Sequence, residues 1–188
     1  MELFWKNVDT NDYNDGTGLD LDEVWDEPGV FDADTLKLAV LHHIALWAME
    51  YDFSMDRIVG FTFDNGGDEL EIEATAGNWT WLTEVCQLVE FIKGNKHYCP
   101  DNAIFARIKD IGWKFFDFDS GLQAAEDEYY QEFDGDYKEF AREYMDNCGE
   151  SIAEHLEYHF DYESYGESLV GDFDLVEFAN EEFLFDRW

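Results

Sequence analysis

The sequence predicts an α+β fold of acidic helices and short antiparallel strands, in three small subdomains at residues 1–57, 58–117 and 118–188. Three observations carry this. The first is a helical stripe over 136–148, where Tyr137, Phe140, Ala141, Tyr144, Met145 and Cys148 recur at i, i+3, i+4, i+7, i+8 and i+11. Glu139, Glu143 and Asp146 fall on the opposite side. The second is a hairpin pattern: Ile58–Phe63 reads as a strand, Asp64-Asn65-Gly66-Gly67 as its turn, and Glu69–Glu73 alternates as the return. The third is composition. The 188 residues hold 46 Asp+Glu against 11 Lys+Arg, a formal charge of -35. Such a charge signals disorder only when aromatic residues are few. Here 18% of residues are aromatic and 46% hydrophobic, so the chain can build cores.

In chain order, residues 1–31 mix Asp, Asn and Gly with isolated aromatics. The NDYNDGTG segment suggests a calcium loop but fails the EF-hand pattern, since no Glu arrives at the twelfth position. Asp32 or Asp34 can cap a helix to Tyr51, with Leu36, Val40, Leu41, Ile44, Ala45, Trp47 and Ala48 on its apolar side. His42 and His43 inside it point about 100° apart, which reads as one exposed and one half-buried imidazole rather than a chelate. Glu69, Glu71 and Glu73 share a strand face that reads as solvated surface. Asn78 or Thr80 can start a helix through Ile92, stopped at Gly94-Asn95, and Pro100-Asp101 opens another with Ile104, Phe105 and Ile108. Lys93, Lys96, Arg107, Lys109 and Lys114 cluster here and are expected to neutralise acids within the molecule. From Gly121 the pattern predicts helices near 121–133, 136–148, 150–158 and 161–169. Strands follow near 173–178 and 182–187, with Phe183 and Phe185 on one side.

Residues 121–188 carry 21 acidic and 3 basic side chains, a net −18. Beyond Asp146, Glu150, Glu154 and Glu157 continue the three-or-four step. At about 1.5 Å rise per residue this sets a carboxylate roughly every 4.5–6 Å, on the scale of the one phosphate charge per about 1.7 Å of duplex axis. The acidic face therefore reads as a polyanion mimic for a basic partner. It comprises Glu126, Asp127, Glu132, Asp136, Glu139, Glu143, Asp146, Glu150, Glu154, Glu157, Asp161, Glu163 and Glu167. Nucleic acid and anionic membranes would be repelled.

Catalytic patterns are missing from the sequence. His155 and His159 have zincin spacing, but Leu156 follows where a Glu is needed. No phosphate-binding loop, nucleophile elbow or paired C-x-x-C occurs, so neither catalysis, metal nor cofactor is expected. Cys86, Cys99 and Cys148 read as free buried thiols of a reducing compartment. No apolar run approaches the roughly 20 residues of a membrane span, and the opening residues lack a signal-peptide pattern.

The stretch EDEYYQEFDGDYKEFAREYMDNCGESIAEHLEYHFDYESYGESL, with GDFDLVEFANEEFLF after it, resembles the C-terminal half of the ArdA antirestriction proteins. The matching positions are Tyr129, Tyr130, Phe133, Phe140, Ala141, Phe160, Asp161, Tyr162, Glu163, Tyr165 and Gly166, and a weaker match reaches back through EIEATAGNWTWLTEVCQLVEFI. Together they cover about the last two-thirds of the chain; residues 1–57 show no counterpart of the family's opening strand. The resemblance implies an elongated, three-part homodimer in the bacterial host cytoplasm, encoded by a phage or mobile element. It would mimic B-DNA in the groove of type I restriction-modification enzymes. Other readings of the same acidity are an inhibitor of another defence complex such as CRISPR, an acidic chaperone of basic proteins, and a halophilic enzyme.

Overall fold

The computed structural model describes residues 2–7, 19–21, 33–51, 58–64, 69–72, 81–94 and 98–187. Several sequence expectations lie outside the described residues: the NDYNDGTG segment, the Asp32 cap, the Asn65–Gly67 turn, the Asn78 or Thr80 helix start, and Glu73 and Lys96.

A first sheet has the antiparallel order β2-β1-β3-β4, with β1 at Glu2–Asn7, β2 at Leu19–Asp20, β3 at Ile58–Asp64 and β4 at Glu69–Ile72. The hairpin is as the alternation predicts, with Asp64 opposite Glu69. On β4, Leu70 and Ile72 are buried and Glu71 between them is exposed. No sequence pattern announces β1. β1 pairs with β3 from Glu2↔Asp64 to Asn7↔Ile58. Its Leu-Phe-Trp run has no period-2 alternation, so only pairing with a partner more than fifty residues away defines it.

Helices α1 (Ala33–Tyr51), α2 (Trp81–Gly94) and α3 (Asp101–Ile111) supply the largest apolar cluster. Leu36 and Val40 of α1 are buried, and so are Leu82, Val85, Leu88 and Val89 of α2. His42 is exposed and His43 half-buried, as their spacing predicts. Ala103, Ile104, Phe105 and Ile108 make α3 apolar along one side. A 3-10 turn at Trp113–Phe115 leads to α4 (Gly121–Glu128).

The second sheet has the order β5-β7-β6, from β5 (Tyr129–Phe133), β6 (Phe173–Phe178) and β7 (Glu181–Asp186). The predicted helix over 121–133 is therefore corrected: it ends at Glu128. Tyr129 turns extended (φ −62°, ψ 122°) and begins a strand on β7. Successive side chains then point to opposite faces. Tyr129 meets Phe185 at 5.9 Å between ring centroids on one face, and Tyr130 meets Phe173 at 4.8 Å on the other. Strands β6 and β7 form a hairpin over Ala179 and Asn180, both at positive φ (54° and 64°), the twist two-residue hairpin loops require.

Central strand β7 is buried on both faces: Phe183, Leu184 and Phe185 are all 0% exposed. Phe183 and Phe185 join the cluster of α1–α4, where Phe105 stacks on Phe178 at 5.5 Å. Leu184 joins a second cluster with Phe133, Phe140, Ala141, Leu169, Val170 and Phe173. The first cluster runs from Leu21 to Phe185, so residues on both sides of position 117 share it. The second belongs to α5 (Tyr137–Cys148) and α7 (Tyr162–Val170), which cover the other face of the sheet, with the single turn α6 (Glu154–Glu157) between them.

Candidate functional site

Helix α5 begins and ends where its sequence says it should. The Asp136 carboxylate accepts the Glu139 backbone N–H at 2.9 Å, satisfying one of the four orphan donors of a helix start. At the other end Gly149 is left-handed (φ 70°, ψ 22°). Its N–H reaches the Asp146 carbonyl at 3.1 Å, and the Glu150 N–H reaches Met145 at 2.8 Å. That pair of bonds is a Schellman stop. Phe140, Ala141 and Met145 are buried and Tyr137 and Tyr144 half-buried, so the stripe faces the sheet; Glu139, Glu143 and Asp146 face out. Cys148 departs from the stripe. It is exposed, being in the last turn beyond the apolar cluster, whereas Cys86 and Cys99 are buried as expected. Burial, then the charge of Glu126, pushes the Cys99 thiol up to about 11.

The stop at Gly149 corrects a second expectation. Glu150, Glu154 and Glu157 do not extend the α5 axis, because the predicted helix over 150–158 is a single turn with no buried residue. Only the half-buried Ile152 interrupts an exposed run from Asp146 to His159. A four-residue turn without an apolar face cannot propagate. His155 and His159 are both exposed there.

Helix α7 repeats the α5 start. Asp161 accepts the Ser164 N–H at 3.1 Å and its hydroxyl at 2.9 Å, and the Ser164 backbone bond is the main reason its carboxyl lies below the usual range. The two helices cross at Gly166. A Cβ there would stand 1.9 Å from the Tyr137 carbonyl oxygen, so only glycine permits this approach. Phe160 braces the entry, at 4.7 Å from Tyr162 and 5.5 Å from Tyr165.

Of the thirteen carboxylates in the predicted face, twelve are exposed. Glu126 is half-buried and engaged within the molecule, accepting the Tyr98 N–H at 2.8 Å and Gln123 Nε2 at 2.9 Å. Asp127 is exposed and shares Gln123 at 3.1 Å. Asp136 and Asp161 are caps, and Glu139 lies 3.6 Å from Arg142. Glu132, Glu143, Asp146, Glu150, Glu154, Glu157, Glu163 and Glu167 have no cation partner among the described residues. Sequence reasoning missed exposed Asp172, Glu177 and Asp186. They follow strand alternation or strand ends, not the helical step used to find the face.

It also missed where the cations sit. Lys138 and Arg142, one helical turn apart, line an open groove of ≈ 680 Å³ with Glu154, Glu157, Asp161 and Glu163. The Arg142 guanidinium lies 5.0 Å over the Tyr162 ring. Elsewhere Arg107 behaves as expected of an internal neutraliser, reaching Glu128 at 2.9 Å and Asp174 at 3.3 Å. Asp174 also accepts Arg187 Nε at 2.7 Å, and these bonds, Arg187 foremost, hold its carboxyl below the usual range.

Among the described residues no His, Cys, Asp or Glu cluster is arranged to hold a metal, and no helix is long and apolar enough to cross a membrane. Fold and site thus define an α+β protein that turns a strongly acidic, largely uncompensated helical layer outward. The family model of the antirestriction protein ArdA matches residues 48–182, and the chain belongs to that family. Membership makes it an antirestriction protein, an inhibitor of restriction-modification enzymes. No curated protein and no solved structure matches the chain.

Proposed function

We propose that the protein inhibits type I restriction-modification enzymes as a DNA mimic, entering the groove that otherwise receives the duplex. The observation that carries this reading is the row of exposed carboxylates on α5, α7 and the segment between them, seven without a cation partner among the described residues. A DNA-binding groove gains much of its affinity by releasing counterions when its Lys and Arg meet phosphates. Carboxylates that meet the same cations draw on the same free energy and keep DNA out by occupying its place. Such inhibition is stoichiometric and makes or breaks no bond. The working form is a homodimer, which lengthens the acidic surface presented to the groove.

Competition between duplex DNA and this protein for a purified type I enzyme tests the reading. The expected results are mutual exclusion, steep weakening with added salt, and no binding of the protein to DNA alone. A ternary complex with DNA still seated in its groove would sink the proposal.

A further inference from the structure

We infer that Gly166 is a positioning residue: it sets the spacing between the carboxylates of α5 and those of α7, and the target enzyme reads that spacing rather than net charge alone. The inference rests on the groove-occupancy reading. At Gly166 the two helices touch backbone to backbone. A Cβ at this position would lie 1.9 Å from the Tyr137 oxygen, 2.6 Å from its carbonyl carbon and 3.0 Å from its Cβ. The two closest atoms belong to the main chain and cannot swing aside. Any side chain here must therefore push the helices apart by about 1.5–2 Å to reach ordinary contact.

Both helices are otherwise fixed. Asp136 and Asp161 cap their first turns, and Phe140, Ala141, Leu169 and Val170 root them in one apolar cluster over the sheet. A glycine inside a helix weakens it, and here it stands where that loss gives the closest approach. The outward carboxylates, Glu139 and Glu143 on α5 and Glu163 and Glu167 on α7, are then borne on two rods with one separation. A basic groove shaped for phosphates gains most when carboxylates meet its cations in register, so a displaced rod loses contacts without losing charge.

Two variants of unchanged net charge test this in the full-length protein. Gly166→Ala displaces α7. Glu167→Ser combined with Ser168→Glu moves one carboxylate about 100° around α7 between two exposed positions, leaving the packing alone. Folding is followed by circular dichroism and thermal melting, and inhibition by titration of DNA cleavage at several salt concentrations. Folded Gly166→Ala should inhibit about ten-fold more weakly with a shallower salt dependence, because fewer ionic contacts form. The exchanged pair should lose about three-fold at native stability. A structural defect alone would lower the active fraction at every salt concentration and leave the slope unchanged; that result overturns the inference. So does wild-type inhibition by folded Gly166→Ala, or by the exchanged pair if Gly166→Ala does not fold. A ternary complex formed by the unmodified protein would remove the groove-occupancy reading and this inference together, whereas unmodified competition with unaffected variants removes this inference alone.

Discussion

The two faces of the β5-β7-β6 sheet both bury aromatic rings but are charged differently. Towards α3 and α4, Arg107 is 13% exposed, bonded to Glu128 and Asp174 and lying 5.2 Å over the Phe185 ring. Arg187 reaches the same Asp174 from the edge. Towards α5 and α7, Arg142 also lies over a ring, Tyr162 at 5.0 Å, but makes a single 3.6 Å ion pair, with Glu139, both exposed, and Glu143, Asp146, Glu163 and Glu167 have no cation partner among the described residues. The chain has 11 Lys and Arg for 46 acids. Arg107 and Arg187 stand where a carboxylate is partly withdrawn from water, because an unpaired charge there is costly. Carboxylates on the outer helices remain hydrated and need no cation to fold. Uncompensated charge therefore gathers on the side that a basic partner can meet.

The largest effects should be similar on the two faces, because a fully buried ring anchors each. Phe185→Ala and Phe140→Ala each remove a buried ring and should each cost about 3–5 kcal/mol in denaturant titration. A small loss for Phe140→Ala would mean that α5 is only loosely seated. The next effect should separate the faces. Arg107→Met is expected to cost about 1–3 kcal/mol, reduced from a fully buried pair by the partial exposure of its partners. Arg142→Met should cost less than about 1 kcal/mol. Equal losses for the two arginines would erase the contrast.

Smaller still is the acid limb of stability. Asp174 and Asp161 titrate below their unfolded value of about 3.9. The folded state then binds fewer protons than the unfolded one, so their contribution is complete above about pH 4 and is lost as pH falls through the lowered folded values. Melting temperatures of Asp174→Asn should accordingly fall below wild type at pH 6 and converge with it in strong acid; a constant difference at every pH would assign the loss to packing. The smallest effect belongs to single outer carboxylates. Glu143→Gln should leave stability within about 0.5 kcal/mol and weaken inhibition less than about five-fold. Abolished inhibition with the fold intact would point to chemistry at that residue instead of a shared face. Added salt at pH 7 should raise the melting temperature of every variant, since self-repulsion is screened within a Debye length of about 8–10 Å.

Local rules were enough for much of this. The stripe on α5 and its end at Cys148, the β3-β4 hairpin, the alternation of β6 and β7 and the Ile104-Phe105-Ile108 side of α3 all follow from period and turn chemistry, which act over a few residues. Membership of the antirestriction family was legible in the order of aromatic and acidic signatures from Tyr129 to Gly166. An acidic outer face was legible too, since helical spacing places Glu139, Glu143 and Asp146 opposite Phe140 and Ala141 whatever the helix packs against.

Packing between distant segments decided the rest. Tyr129–Phe133 is a strand because β7 lies alongside it, from Tyr129↔Phe185 to Phe133↔Glu182. Glu2–Asn7 is a strand because β3 lies alongside it. The division of labour among the carboxylates is tertiary as well. Glu126 and Glu143 look alike in a helical pattern, but Tyr98 and Gln123 stand beside the first and water beside the second. Spacing tells which way a side chain points; what it meets there depends on chain that folds back from elsewhere, at Gly166 to within the reach of a single missing methyl group.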